Sequence, residues 1–255
     1  MRQSVSALRE FYASRLGDVA RRMISRKVRE AWRDAAALDV LALGYATPFL
    51  AGLTDGARRV VAAMPSSQGA EAWPVGGPNR ALGFQEGRLP LRNALFDRIL
   101  AVHALEESGD PARVLAEARR VLSPSGRIIL VVAARHGPWT QSETSPFGHG
   151  RSFSRRQLET LVREAQLAPV GWTRALYTPP IGGLARWADS LESIGATVCP
   201  PFAGVVLMEA VKETFAVRPI GRVAAARASP APVLAPAPAG ARRARTKFFK
   251  AERVK

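Results

Sequence analysis

Cysteine is nearly absent from this 255-residue sequence, with Cys199 the only one. That excludes an intramolecular disulfide and a cysteine-based zinc site, and the expected role of Cys199 is a small buried side chain beside the last strand. Histidine is almost as scarce: His103, His136 and His149 stand in no ligand-like spacing with Asp or Glu, so no metal site is expected. Long apolar runs are missing too, and without about 18 consecutive apolar residues no spanning helix is expected. The N-terminus lacks the apolar core and cleavage site of a secretory signal, and Glu10, Asp18, Glu30 and Asp34 speak against a mitochondrial presequence. The expected location is the cytoplasm.

Acidic residues are few, 21 against 37 Lys and Arg, and the resulting net charge of +16 is unevenly spread. From Arg218 onward ten basic residues face only Glu252, and residues 1–34 hold nine basic residues against four acids. The middle is nearly neutral. From about Val217 the composition turns to Ala, Pro and Arg, too poor in apolar surface to offset its ordering entropy, so a disordered basic tail is expected. Its last stretch, ARRARTKFFKAERVK, mixes cations with Phe248 and Phe249. A segment of that kind suits nucleic acid, an acidic partner or an anionic surface through Arg218–Lys255, or serves as a nonspecific solubilising segment. Three parts are expected: amphipathic helices over 1–35, one domain over 36–216 and the tail over 217–255.

Along residues 4–33, Val5, Leu8, Tyr12, Leu16, Val19, Met23, Val28 and Trp32 recur at helical spacing with arginines between them. One or two helices capping a sheet or a pocket are expected. Asp39–Leu43 reads as a first strand, ending at Gly44, after which Thr47-Pro48 reads as a helix start. Further strands are expected at 58–63, 80–84, 96–102, 127–133, 168–176 and 203–210, with helices at 111–121, 154–166 and 184–194. Strands alternating with helices mean parallel βαβ units. The last strand, arriving after Pro200-Pro201, suits an antiparallel edge.

One block carries a family resemblance. The string FDRILAVHALEESGDPARVLAEARRVLSPSGRIILVV, Phe96 to Val132, resembles the class I S-adenosylmethionine-dependent methyltransferases, in the group called methyltransferase type 11. Arg88-Leu89-Pro90 before it matches in order and spacing, and the likeness extends from Leu38 to about Val211. GYATP, MPSSQGAEAW and TSPFGHGRSFSRRQL resemble an α-proteobacterial branch without the glycine-rich loop.

The resemblance implies an α/β fold: a Rossmann-like seven-stranded sheet, mostly parallel with an antiparallel last strand and helices on both faces. It also implies S-adenosylmethionine bound across the carboxyl ends of strands one to four. Carried over residue by residue, Gly44, Tyr45, Ala46 and Thr47 occupy the methionine-side loop. Met64 stands where the family places an acid on the ribose, and Gln85 or Glu86 falls at the adenine edge. His103 to Glu106 lies under the transferable methyl. The chain departs from the pattern at Ala42, Ala46, Pro48 and Met64, positions where the family often has an acid or a glycine.

Methyl transfer is an in-line displacement that depends on alignment and desolvation, so no nucleophile is required. His103 and Glu106 are the candidate general bases, each with a plainer role open to it: packing for His103, a solvated helix start for Glu106. His136, Trp139, Phe147, His149 and Arg151 lie in or beside a long Gly/Pro/aromatic loop that forms either a lid over the acceptor or a fixed structural loop. Trp73 either stacks on adenine or plugs the core edge; Trp32, Trp172 and Trp187 are read as packing. The competing function is a catalytically degenerate methyltransferase-fold protein that binds RNA, a ribosomal or another protein partner through its basic ends. A nicotinamide-dependent oxidoreductase is disfavoured because the first turn lacks G-x-G-x-x-G.

Overall fold

The computed structural model describes residues 3–213. The N-terminal stripe becomes two helices rather than one: α1 (Val5–Ala13) and α2 (Arg15–Ala31). Ser4 and Ser14 cap them, their side chains accepting from Ala7 N and Gly17 N respectively. The break at Ser14 is tight. A Cβ on Gly17 would lie 1.9 Å from the Phe11 carbonyl oxygen, so the second helix can start there only with a glycine.

Seven strands follow: β1 (Asp39–Gly44), β2 (Arg59–Pro65), β3 (Ala81–Phe84), β4 (Phe96–Val102), β5 (Leu122–Ala133), β6 (Leu167–Ala175) and β7 (Val205–Lys212). They form one sheet in the order β3-β2-β1-β4-β5-β7-β6, parallel from β3 to β5. The last strand is antiparallel, as expected, but it is no edge: β7 sits between β5 and β6 and pairs antiparallel with both.

Helices cover both faces, as alternation along β1 requires. Val40 and Ala42 join the core under α1 and α2, while Leu41 and Leu43 join the core that also holds residues of α3 (Pro111–Val121) and α4 (Arg155–Glu164). A central strand buried on both sides must be apolar throughout, and DVLALG is buried at every position. The Ser154 cap forms a capping box with Gln157. Ser154→Ala should therefore lower stability by about 1 kcal/mol in urea melts.

The structure corrects several local expectations. Thr47-Pro48 opens only a single 3-10 turn, Thr47–Phe49, without a side-chain cap, and no α-helix joins β1 to β2. The helix expected over 184–194 is a 3-10 stretch, Gly182–Trp187, running into α5 (Ala188–Val198). β5 begins at Leu122, five residues earlier than its apolar run suggests, because Leu122 already pairs with Phe96. Cys199 is exposed, and so is Trp187. The tail expected over 217–255, and any partner of it, lies outside the described residues.

Candidate functional site

The first turn is built by its neighbouring strand. Gly44 has φ +77°, and a Cβ there would stand 2.3 Å from the Val102 carbonyl oxygen of β4. That same oxygen accepts the Tyr45 N–H at 2.8 Å. The glycine is thus required by the close approach of β1 to β4.

Beyond it, Tyr45 turns inward. Its ring stacks on Tyr12 with centroids 6.0 Å apart, and its hydroxyl donates to Glu71 Oε1 at 2.9 Å. Tyr12, from α1, also packs edge-on against Phe49 at 5.3 Å. Its hydroxyl meets His103 Nε2 at 2.7 Å. Phe147 closes the group against His103 at 4.9 Å. Helix α1 is tied over this cage at three points: Gln3 N donates to Glu107 Oε2 (2.7 Å), Val5 N to the Gln68 carbonyl (2.9 Å), and Arg9 pairs with Glu71 (3.3 Å). It thereby spans the carboxyl ends of β2, β1 and β4.

His103 itself is strained, with φ +52° in a non-glycine residue at a strand end. Burial drives its pKa down from 6.5 to about 3, so the ring is neutral, and its Nε2 shares a hydrogen bond with the hydroxyl of Tyr12, whose own pKa burial pushes up. Glu106 is buried rather than solvated. Its Oε1 accepts from Ala133 N at 3.2 Å, its Oε2 has no partner, and desolvation raises its pKa to about 7.

These two shifts act on stability with opposite signs. The depressed His103 contributes stability above 6.5 that is lost as pH falls towards about 3. The raised Glu106 contributes stability below 4.5 that is lost as pH rises through about 7. Between 4.5 and 6.5 they oppose each other. Relative to the parent, Glu106→Gln should therefore gain stability with rising pH across that window, and His103→Asn should lose it. Thermal melts at a series of pH values check this; a Glu106→Gln profile parallel to the parent's would refute it.

The other residues singled out from sequence are scattered. Met64 is fully buried core on β2, and Ala46 and Thr47 are buried behind Tyr45. Gln85 and Glu86 form an exposed turn after β3, where Glu86 accepts from Ser67, Ser108 and Gly109 N at 3.3 Å. Phe147 alone of the long loop reaches the cage. Trp139 is fully buried and donates to the Thr178 carbonyl at 2.7 Å, anchoring the loop to the chain after β6. His136 and Arg151 are exposed, and His149 Nε2 bonds the Glu143 carbonyl at 2.9 Å within the loop.

Sequence reasoning missed Tyr12, Gln68 and Glu71. Tyr12 is the one hydroxyl-bearing residue on the apolar stripe of α1, the only signal that could have found it.

With α1 seated, its Tyr12 ring occupies the place the resemblance assigns to S-adenosylmethionine, packed against Tyr45, Phe49 and His103. Beneath α1, however, buried polar atoms lack partners: Gln68 Oε1 and Nε2, Gln3 Oε1 and Glu106 Oε2. A wholly apolar core would leave no such atoms, since each costs about 1–3 kcal/mol when buried unpaired. A trough for a polar ligand would use them. The sheet side fits the group; α1 excludes it.

A sheet of this strand order, with β7 antiparallel inside it, is that of the class I methyltransferases. Residues 42–130 match the family of the methyltransferase domain. That segment, running from β1 into β5, is similar to the methyltransferase domain family, and the likeness of the whole chain is one of fold. No curated protein matches the sequence. Among similar solved structures is an S-adenosylmethionine-dependent methyltransferase of Thermotoga maritima, at 18% identity and TM-score 0.52, covering 76% of this chain and 91% of that one. A chain of a methyltransferase–activator complex from Haloferax volcanii gives 17% and 0.56, covering 82% and 98%. Geranyl diphosphate C-methyltransferase of Streptomyces coelicolor gives 13% and 0.53, covering 74% and 76%. At these identities the likeness is one of fold.

Proposed function

We propose that the chain transfers a methyl group from S-adenosylmethionine to an acceptor, and that α1 is a lid whose departure admits the cofactor. The observation that carries this reading is the buried Gln68 amide, unpartnered at both atoms beneath α1. When bound, the cofactor supplies an electrophilic methyl on a sulfonium. Gly44, Ala46 and Thr47 at the first turn, with Gln68 and Glu71 from the segment after β2, would hold it. Glu106 is the candidate base: a carboxyl with pKa about 7 is half ionised at neutral pH and can take a proton from an acceptor hydroxyl or amine. His103, held neutral with a pKa near 3, serves instead to position Tyr12.

Titration calorimetry of the full chain with S-adenosylmethionine, beside lid-weakened variants, tests the proposal. Absence of binding at millimolar cofactor in all of them would sink it. A second reading is favoured by the dense aromatic packing of Tyr12 on Tyr45 and Phe49 at 5.3–6.0 Å: the cage is permanent and the fold serves only to bind a partner. That reading requires lid-weakened variants to remain as unable to bind the cofactor as the parent.

A further inference from the structure

On the outer side of Tyr12 the chain forms a second compartment. A cleft of about 810 Å³ opens between the α1–α2 corner and the 3-10 stretch Gly182–Trp187. Four arginines line it, Arg15, Arg21 and Arg22 from α2 and Arg186 from the opposite wall, against a single acid, Asp18.

The arginines are partly pre-set. Asp18 holds Arg21 and, at 3.0 Å, Arg22 Nε; Asp189 of α5 takes Arg22 Nη1 at 3.4 Å and also pairs with Arg26. Arg15 and Arg186 are exposed and have no carboxylate partner among the described residues. Space stands open before Gly182 and Gly183, where an added Cβ would meet nothing within 4 Å. Ile181 and Trp187, 56% and 55% exposed, flank that wall.

We propose that this cleft binds a soluble phosphate-bearing small molecule with an apolar body, and that this molecule is the methyl acceptor. The second half rests on the methyl-transfer reading above; the first does not. A carboxylate would satisfy one arginine fork, whereas Arg15 and Arg186, unpaired with any carboxylate among the described residues and backed by Arg21 and Arg22, suit a multiply charged phosphate, which a free fork can contact bidentately. The position fits the role. Tyr12 forms part of the cleft wall on one side and reaches His103, at the end of β4, on the other.

The test is calorimetry of the full chain with inorganic pyrophosphate at fixed salt, with vesicle co-sedimentation on anionic phospholipid as a parallel arm. Pyrophosphate binding should weaken about tenfold in Arg15→Gln and again in Arg186→Gln, the usual scale for loss of a charged hydrogen-bond donor. Both side chains are exposed, so folding is not at stake. Gly183→Leu, which narrows the cleft at constant charge, should weaken it as well.

Pyrophosphate affinity unchanged by all three variants would assign the binding to basic residues outside the cleft and overturn the proposal. Vesicle binding without pyrophosphate binding would overturn it in favour of a membrane surface, and binding of neither would overturn it outright. Pyrophosphate binding that responds to the variants, in a chain that never binds S-adenosylmethionine, would leave the cleft standing and refute only its role as acceptor site.

Discussion

Tyr12→Ala is expected to tighten the apparent affinity of the full chain for S-adenosylmethionine by on the order of a hundredfold, while lowering its melting temperature. Truncating a buried aromatic costs about 3 kcal/mol or more. For Tyr12 that cost falls on the seated lid, because its stacking on Tyr45, its edge contact with Phe49 and its bond to His103 exist only with α1 in place. A ligand that binds only the open form has its affinity reduced by the open fraction. Weakening the lid by about 3 kcal/mol raises that fraction roughly a hundredfold until the open form dominates. Tyr12→Phe, losing only the hydroxyl, should move affinity about fivefold in the same direction. Calorimetry reads both, and a Tyr12→Ala chain that binds no better than the parent means that α1 does not gate the trough.

Gly44→Ala is expected to destabilise the chain by roughly 3–5 kcal/mol. Two costs coincide. A φ of +77° is strained for alanine, and the new Cβ would lie 2.3 Å from a backbone oxygen of β4, which cannot yield without spreading two central strands. Melting temperature separates this from the family's use of the position. Were the glycine needed only for approach to the cofactor, Gly44→Ala would melt like the parent and lose binding alone.

The strands at the centre of the sheet were legible because each carries a run buried on both faces and apolar throughout, as in ILAV of β4 and IILVVA of β5. The start of β5 was not. Ser123, Pro124, Ser125 and Gly126 carry turn chemistry, yet Leu122 and the residues after it run beside β4 through a register shift that no local signal announces. Thr47-Pro48 misled in the opposite direction. It has the makings of a helix start, but Gly52 and Gly56, both at φ +72°, turn the chain before a helix can propagate.

At the site, His103 and Glu106 were found because they follow a recognisable strand. Their states were not, since burial decides both: two residues read as candidate bases are a neutral ring and a carboxyl with a raised pKa, both buried. Tyr12 and Glu71 were missed because the contact between them and Tyr45 joins segments far apart in the chain, which periodicity cannot report.

The two faces of Tyr12 carry an energetic consequence. One residue borders the cleft and reaches the inner cage, so where filling either compartment moves Tyr12, it alters the cost of filling the other, and thermodynamics makes that change reciprocal. If an occupant of the arginine cleft draws Tyr12 outward, acceptor and donor each tighten the other by the same factor. Equilibrium titration of either ligand in the presence of the other would read that one factor, set at a single aromatic side chain of the N-terminal helix.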